Sequence, residues 1–178
     1  MTAPVEQPLQ PLPNTYWVRP ARFLAGEYPG TSDSRVARER LRRFLESGVT
    51  AFLDLTQPEE LEPYAPLLEA EAEAAGRLVS YQRQSIADLG VPSREHMVVI
   101  LDSIDSLLAG GQNLYLHCWG GVGRTGTVVG CHLVRHGLTG EAALVQLAEW
   151  WSRVEKRSRH PRSPETAAQV DMIRSWKG

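Results

Sequence analysis

Two cysteines, Cys118 and Cys131, are all that 178 residues contain, which excludes a disulfide-dense secreted scaffold. No run approaches the roughly 18 apolar residues of a transmembrane span. The first residues lack both a basic segment and an apolar stretch, so they do not read as a signal peptide. Neither charge sign dominates: a formal net charge of −2 gives no global reason to expect nucleic acid or an anionic membrane as partner. No internal repeat or linker divides the chain. The expectation is a cytoplasmic, monomeric protein with one domain, long enough to bury about two-thirds of its unfolded surface without staples.

What is present falls into an alternating order. Residues 1–13 carry Pro4, Pro8, Pro11 and Pro13 with few large apolar groups, and read as a poorly ordered Pro-rich arm before a domain over 14–178. Helical spacing of Val36, Leu41, Phe44 and Leu45 predicts a helix over Asp33–Ser47, capped by Ser32 or Asp33 and stopped by Gly48. Val49–Leu55 has the length of a buried strand. Thr56-Gln57-Pro58-Glu59 matches a capping box and opens a helix toward Gly76, with Pro63 and Pro66 against it. Strands are predicted at Leu78–Gln82 and Leu114–Cys118. Helices are predicted over Ser93–Ala109, Arg124–His136, Thr139–Val154 and Ser163–Trp176. The helix after Arg124 has apolar or small residues on nearly every side and reads as buried. Strands alternating with helices imply a three-layer α/β sandwich with a mostly parallel central sheet, whose sites lie at the carboxyl ends of strands.

One such end carries His117-Cys118-Trp119-Gly120-Gly121-Val122-Gly123-Arg124-Thr125-Gly126. Cys118 and Arg124 are separated by five residues, three of them glycine. That spacing can wrap a loop around a small anion. The amides of Trp119, Gly120, Gly121, Val122, Gly123 and Arg124 can point inward, because glycine permits the required dihedrals and close approach. The following helix adds its positive end, and Arg124 can close the ring with a bidentate fork. The same field favours the ionised sulfur of Cys118, placed for in-line attack on phosphorus. Thr125 can donate its hydroxyl to that sulfur, and His117 reads as a brace for the loop.

His-Cys-(five residues)-Arg-Thr-Gly resembles the loop of cysteine-dependent protein phosphatases. Length and surroundings are most similar to the compact dual-specificity branch. Ser85-Ile86-Ala87-Asp88-Leu89-Gly90-Val91-Pro92-Ser93 is similar to the acid loop of the cyclin-dependent-kinase-associated phosphatases, as is the glycine-rich loop itself. The resemblance spans about Tyr16–Trp176. It implies Cys118 as nucleophile, Arg124 as phosphate clamp and Asp88 as general acid, acting through a cysteinyl-phosphate that water hydrolyses. Protonation of the leaving group is required whatever the family, since an alkoxide leaves poorly, and a positioned acid contributes about 10²–10⁴-fold. The implied substrate is a phosphorylated protein or peptide, phosphotyrosine and also phosphoserine or phosphothreonine, with no cofactor and no metal. Gln169 is a weaker match to a water-positioning glutamine in related enzymes. The loop carries no lysine, unlike lipid and inositol phosphatases of similar architecture, which argues against a densely phosphorylated inositol.

Other readings compete. Gly121-Val122-Gly123-Arg124-Thr125-Gly126 matches G-x-G-x-x-G, but the acid a dinucleotide site needs, Glu141, would begin a helix rather than end a strand. Asp54 ends a strand near the site and reads as supporting it. Asp102 and Asp105 read as solvated, and Cys131 as a core thiol. His132 and His136 share a helix face at i, i+4, yet no third ligand is evident from sequence. The basic run Arg153, Lys156, Arg157, Arg159 and Arg162 is a solvated helix end or a reader of charge near the substrate. Trp119, Tyr16, Trp17 and Tyr28 are rim candidates, Tyr16 and Trp17 better suited to the core. Three alternatives stay open: a phosphatase of a small phosphorylated metabolite, a non-catalytic phosphate-binding module, and a rhodanese-type sulfurtransferase.

Overall fold

The computed structural model describes residues 8–178. In chain order the elements are β1 (Thr15–Arg19), β2 (Phe23–Gly26), α1 (Ser34–Glu46), β3 (Ala51–Asp54), α2 (Ala65–Ala74), β4 (Ser80–Arg83), α3 (Arg94–Ala109), β5 (Leu114–His117), α4 (Gly123–Arg135), α5 (Gly140–Trp151) and α6 (Ala167–Ser175). The five strands form one sheet in the order β1-β2-β5-β3-β4, with only β1–β2 antiparallel. This is the mostly parallel α/β sandwich that the alternation of elements implies.

Each strand of the sheet interior is apolar on both faces, because helices cover both. Phe23, Ala25, Leu53, Leu114 and Leu116 face a core completed by Met97 and Ile100 of α3, Val128 of α4, Leu147 of α5 and Ile173 of α6. Their neighbours Leu24, Phe52 and Tyr115 point the other way, against Leu41 and Phe44 of α1 and Leu68 of α2. The period of two along a strand thus divides the side chains between two cores. The four parallel strands also end in register, so that Gly26, His117, Asp54 and Arg83 form one row across the carboxyl edge.

Three expectations need correction. No helix starts at Thr56: Thr56 instead donates its hydroxyl to Asp54, Glu59 adopts a left-handed φ of 65°, and α2 begins only at Ala65 with proline in its first turn. The last helix starts at Ala167, not Ser163, because Thr166 and Gln169 form the capping box while the Ser163 hydroxyl donates to the Val122 carbonyl. Of the arm, residues 1–7 lie outside the described residues. Within residues 8–13, Leu12 is buried and the Trp17 indole donates to the Pro8 carbonyl at 2.9 Å, while Leu9 stays exposed. The expectation undervalued Leu12, a single large apolar group with a place to go.

The β1–β2 hairpin carries no Gly signal in sequence. Arg19-Pro20-Ala21-Arg22 makes the turn with Ala21 at φ 57°, closed by the Arg22 N–H on the Arg19 carbonyl. That is a turn type in which proline is common at the second position and glycine usual at the third.

Candidate active site

β5 is flanked by β2 and β3, and the chain leaves its end at Cys118. From there the loop 118–122 curls back to open α4 at Gly123. The buried Cys118 Sγ accepts the Gly121 N–H at 3.2 Å, so the sulfur already faces an inward amide. Gly121 is left-handed at φ 73°, and a Cβ there would lie 2.5 Å from the Gly26 backbone carbon, so only glycine fits this turn. Val122 supplies no side-chain cap to α4, which leaves first-turn N–H groups free to meet an anion.

The loop is held from outside by distant segments. The Tyr28 N–H donates to the Trp119 carbonyl at 2.9 Å. Lys156 Nζ donates to the Gly120 carbonyl at 3.1 Å and to Glu27 at 2.6 Å, while Asn14 bonds both Glu27 and the Lys156 N–H. The Trp119 and Gly120 carbonyls are thus drawn outward, while the Gly121 N–H turns toward the sulfur.

His117 is buried beneath the loop. Its Nε2 lies 2.6 Å from the Tyr64 hydroxyl and its Nδ1 3.2 Å from the Cys118 carbonyl. Burial is the leading influence and lowers its pKa, against the pull of Asp54. For a neutral ring, the tautomer that satisfies both contacts carries its proton on Nδ1 and accepts from Tyr64. Asp54 accepts from the Thr56 N–H and hydroxyl, the Tyr81 hydroxyl and Arg83, and lies 3.9 Å from His117 Nδ1. Its carboxylate is fully occupied in support of the strand edge.

Arg124 is 2% exposed although charged, and its bonds explain how that is tolerated. Nη1 donates to Glu60 at 2.8 Å and to the Ile86 carbonyl at 3.1 Å; Nη2 donates to Glu60 at 2.6 Å and lies 3.2 Å from Asp88. These bonds use Nη1 and Nη2 only. The guanidinium in turn holds the Glu60 carboxyl below the usual carboxylate range. Glu60 is the residue that sequence reasoning missed. The available signal was two adjacent glutamates just past the carboxyl end of a parallel strand.

A cleft of about 390 Å³ opens over the loop, lined among others by Asp88, Cys118, Trp119, Arg124, Lys156 and Arg159. Asp88, on the loop after β4, is brought to the same cleft and is half exposed. Trp119 stands 57% exposed at its rim. Tyr16 and Trp17 are core, and Tyr28 is buried with its hydroxyl donating to the Glu62 carbonyl, so none of the three lines this cleft. The Thr125 hydroxyl is buried with no hydrogen-bond partner among the described residues. Gln169 is occupied: its Nε2 donates to the Gly90 carbonyl and its Oε1 accepts the Glu165 and Thr166 N–H groups, which ties α6 to the loop bearing Asp88.

A parallel-edged α/β sheet with a cysteine-to-arginine amide loop at its carboxyl end defines the class of cysteine-dependent phosphatases. Comparison with known proteins agrees. Residues 27–138 match the family described as "Polymorphic toxin system, DSP-PTPase phosphatase", and the chain belongs to that family. Over 99 residues it is 34% identical to a protein of Invertebrate iridescent virus 3 named as tyrosine phosphatase 067L, a match that covers 53% of this chain but only 38% of the viral protein. Among solved structures, Tk-PTP in its active form superposes with a TM-score of 0.68 at 25% identity, covering 92% of this chain and 96% of that one. Kinase associated phosphatase, with serine replacing its catalytic-site cysteine, superposes at 0.66 with 20% identity over 85% and 83%, a likeness of fold alone. The described residues contain no helix long and apolar enough to cross a membrane.

Proposed function

We propose that this phosphatase hydrolyses phosphomonoesters on proteins, phosphotyrosine foremost, through a cysteinyl-phosphate on Cys118. The observation that carries the reading is the Cys118 sulfur at the floor of the cleft, bonded to an inward loop amide, with Arg124 and Asp88 on the same opening. The phosphate oxygens bind the amides of residues 119–124 and the free edge of Arg124. Sulfur attacks phosphorus as the ester P–O bond breaks, and Asp88 gives its proton to the leaving oxygen. In the second step Asp88 takes a proton from water, whose oxygen attacks phosphorus. The P–S bond breaks, and Thr125 donates its hydroxyl toward the departing sulfur. His117, bonded to Tyr64 and to the Cys118 carbonyl, fixes the start of the loop. Trp119 at the rim can cover the face of an aryl phosphate.

The test is turnover of a phosphotyrosyl peptide and of aryl and alkyl phosphates. Cys118→Ser is expected to abolish hydrolysis yet still bind orthovanadate; retained turnover would falsify the nucleophile assignment. Asp88→Ala is expected to slow alkyl esters more than aryl ones, since an aryl oxide leaves with less need of a proton. Equal losses on both would remove Asp88 from the acid role.

A second reading, hydrolysis of a small phosphorylated metabolite, is favoured by Lys156, Arg159 and His160 along the same cleft, which could meet a second anionic group. Substrate preference in a panel of phosphopeptides, nucleotides and inositol phosphates separates the two. Protein inert toward every phosphate ester, yet binding vanadate, would support a phosphate reader instead.

A further inference from the structure

α4 leads away from the cleft, and its last turns carry a feature that phosphate hydrolysis does not use. His132 and His136 lie one helical turn apart and on the same face. Across from them stands Asp105 of α3. The three groups each offer one donor atom, all within 4.8 Å of one another. Asp105 Oδ1 is 2.9 Å from His136 Nε2 and 3.7 Å from His132 Nδ1.

A hydrogen bond to Asp105 accounts for His136 but leaves His132 unexplained. The His132 Nδ1 is buried with no hydrogen-bond partner among the described residues, and it is aimed at the same carboxylate oxygen. Buried polar atoms are normally satisfied, so this nitrogen points to something missing between the rings and Asp105. We propose that Asp105, His132 and His136 form a binding site for a divalent transition-metal cation of the zinc type, which would join α3 to α4.

The donor set suits that class: two imidazole nitrogens and one carboxylate oxygen match zinc rather than magnesium or calcium, with a remaining position for water. The surroundings are those of a supported site. Phe23 meets the His132 ring edge-on with centroids 5.2 Å apart, which fixes its plane. Arg135 holds Asp105 Oδ2 at 3.2 Å and so turns Oδ1 toward the two rings. Its charge opposes a cation, but Arg135 is also bound to Asp102 at 2.7 Å, so the three groups together remain net negative. Zinc bonds of about 2.0–2.2 Å set tetrahedral donors about 3.4 Å apart, so the Asp105–His136 pair must open slightly from 2.9 Å while His132 closes on Asp105 from 3.7 Å. His136 is half exposed and can rotate to make up the difference.

The test uses the full chain carrying Cys118→Ser, so that the active-site thiol cannot account for binding, after treatment with chelator. Titration calorimetry with zinc chloride is expected to show one equivalent bound, and the unfolding midpoint to rise with zinc concentration. His136→Ala, at an exposed position, and Asp105→Asn are each expected to weaken zinc at least about tenfold. Circular dichroism checks that both variants are folded. Zinc binding of equal strength in folded His136→Ala, or no saturable binding and no thermal shift in the parent, overturns the site.

Discussion

Arg124 is bonded at both terminal nitrogens before any substrate arrives, and Glu60 takes one bond from each. A bidentate, charge-assisted pair fixes the plane of the guanidinium as well as its position. Glu60→Gln keeps the shape but loses the charge and one acceptor. Such bonds are worth about 1.5–3 kcal/mol, so kcat/KM is expected to fall about tenfold to a hundredfold, and the unfolding midpoint falls as well because the buried Arg124 loses its countercharge. A loss of activity below about twofold would show that Arg124 needs no such tether. Tyr64→Phe acts first on stability, since it leaves His117 Nε2 buried and unpaired at a cost of about 1–3 kcal/mol. A lowered melting temperature checks it. Cys118 and Arg124 are legible in the sequence because their relation is contained in consecutive residues. The Glu60–Arg124 bond joins residues 64 apart, and the Asp105–His136 bond joins residues 31 apart. No local pattern encodes either, which is why the histidine pair lacks a third partner when read along the chain alone.

At the scale of elements, the loop from Cys118 to Arg124 depends on how closely two turns approach. Gly121→Ala would set a Cβ against the backbone of Gly26 in a left-handed conformation. Strain of about 1–3 kcal/mol predicts orthovanadate affinity reduced by roughly tenfold to a hundredfold. Gly137→Ala is the control: Gly137 is also left-handed, at φ 107°, but has open space around it, so vanadate affinity should not change. Equal effects of the two would mean that contact with Gly26 is irrelevant. Helices with a capping side chain and a glycine stop, α1 above all, are readable to within a residue or two. Segments fail where tertiary bonds take the expected cap, as at Thr56, whose hydroxyl serves Asp54 instead. The β1–β2 turn is hidden for another reason: Ala21 occupies a position that glycine would have advertised.

For the molecule as a whole, burial of titratable groups links folding to pH. The folded state holds His132 to about 4, against an ordinary value near 6.5. As pH falls through 6.5 the unfolded chain takes up a proton that the folded chain refuses until about 4. Stability present above 6.5 is therefore lost across that window and changes no further below it, by at most about 3 kcal/mol from this group. His132→Gln is expected to flatten the same stretch of the stability curve, measured by urea unfolding at several pH values. Identical slopes in the two proteins would exclude this origin. The sheet's alternation and order of layers are legible because both faces are covered by helices that the same periodicity announces. The long-range bracing is not, because it is made by single side chains on irregular segments.

The Lys156 clamp bears on where the self-supporting unit of this fold ends. Asn14 and Lys156, which together seize the outer rim of the loop from Cys118 to Arg124, both fall beyond the span 27–138 that carries the family match. A gene trimmed to that span would still spell the signature but would leave its curl unanchored on one side.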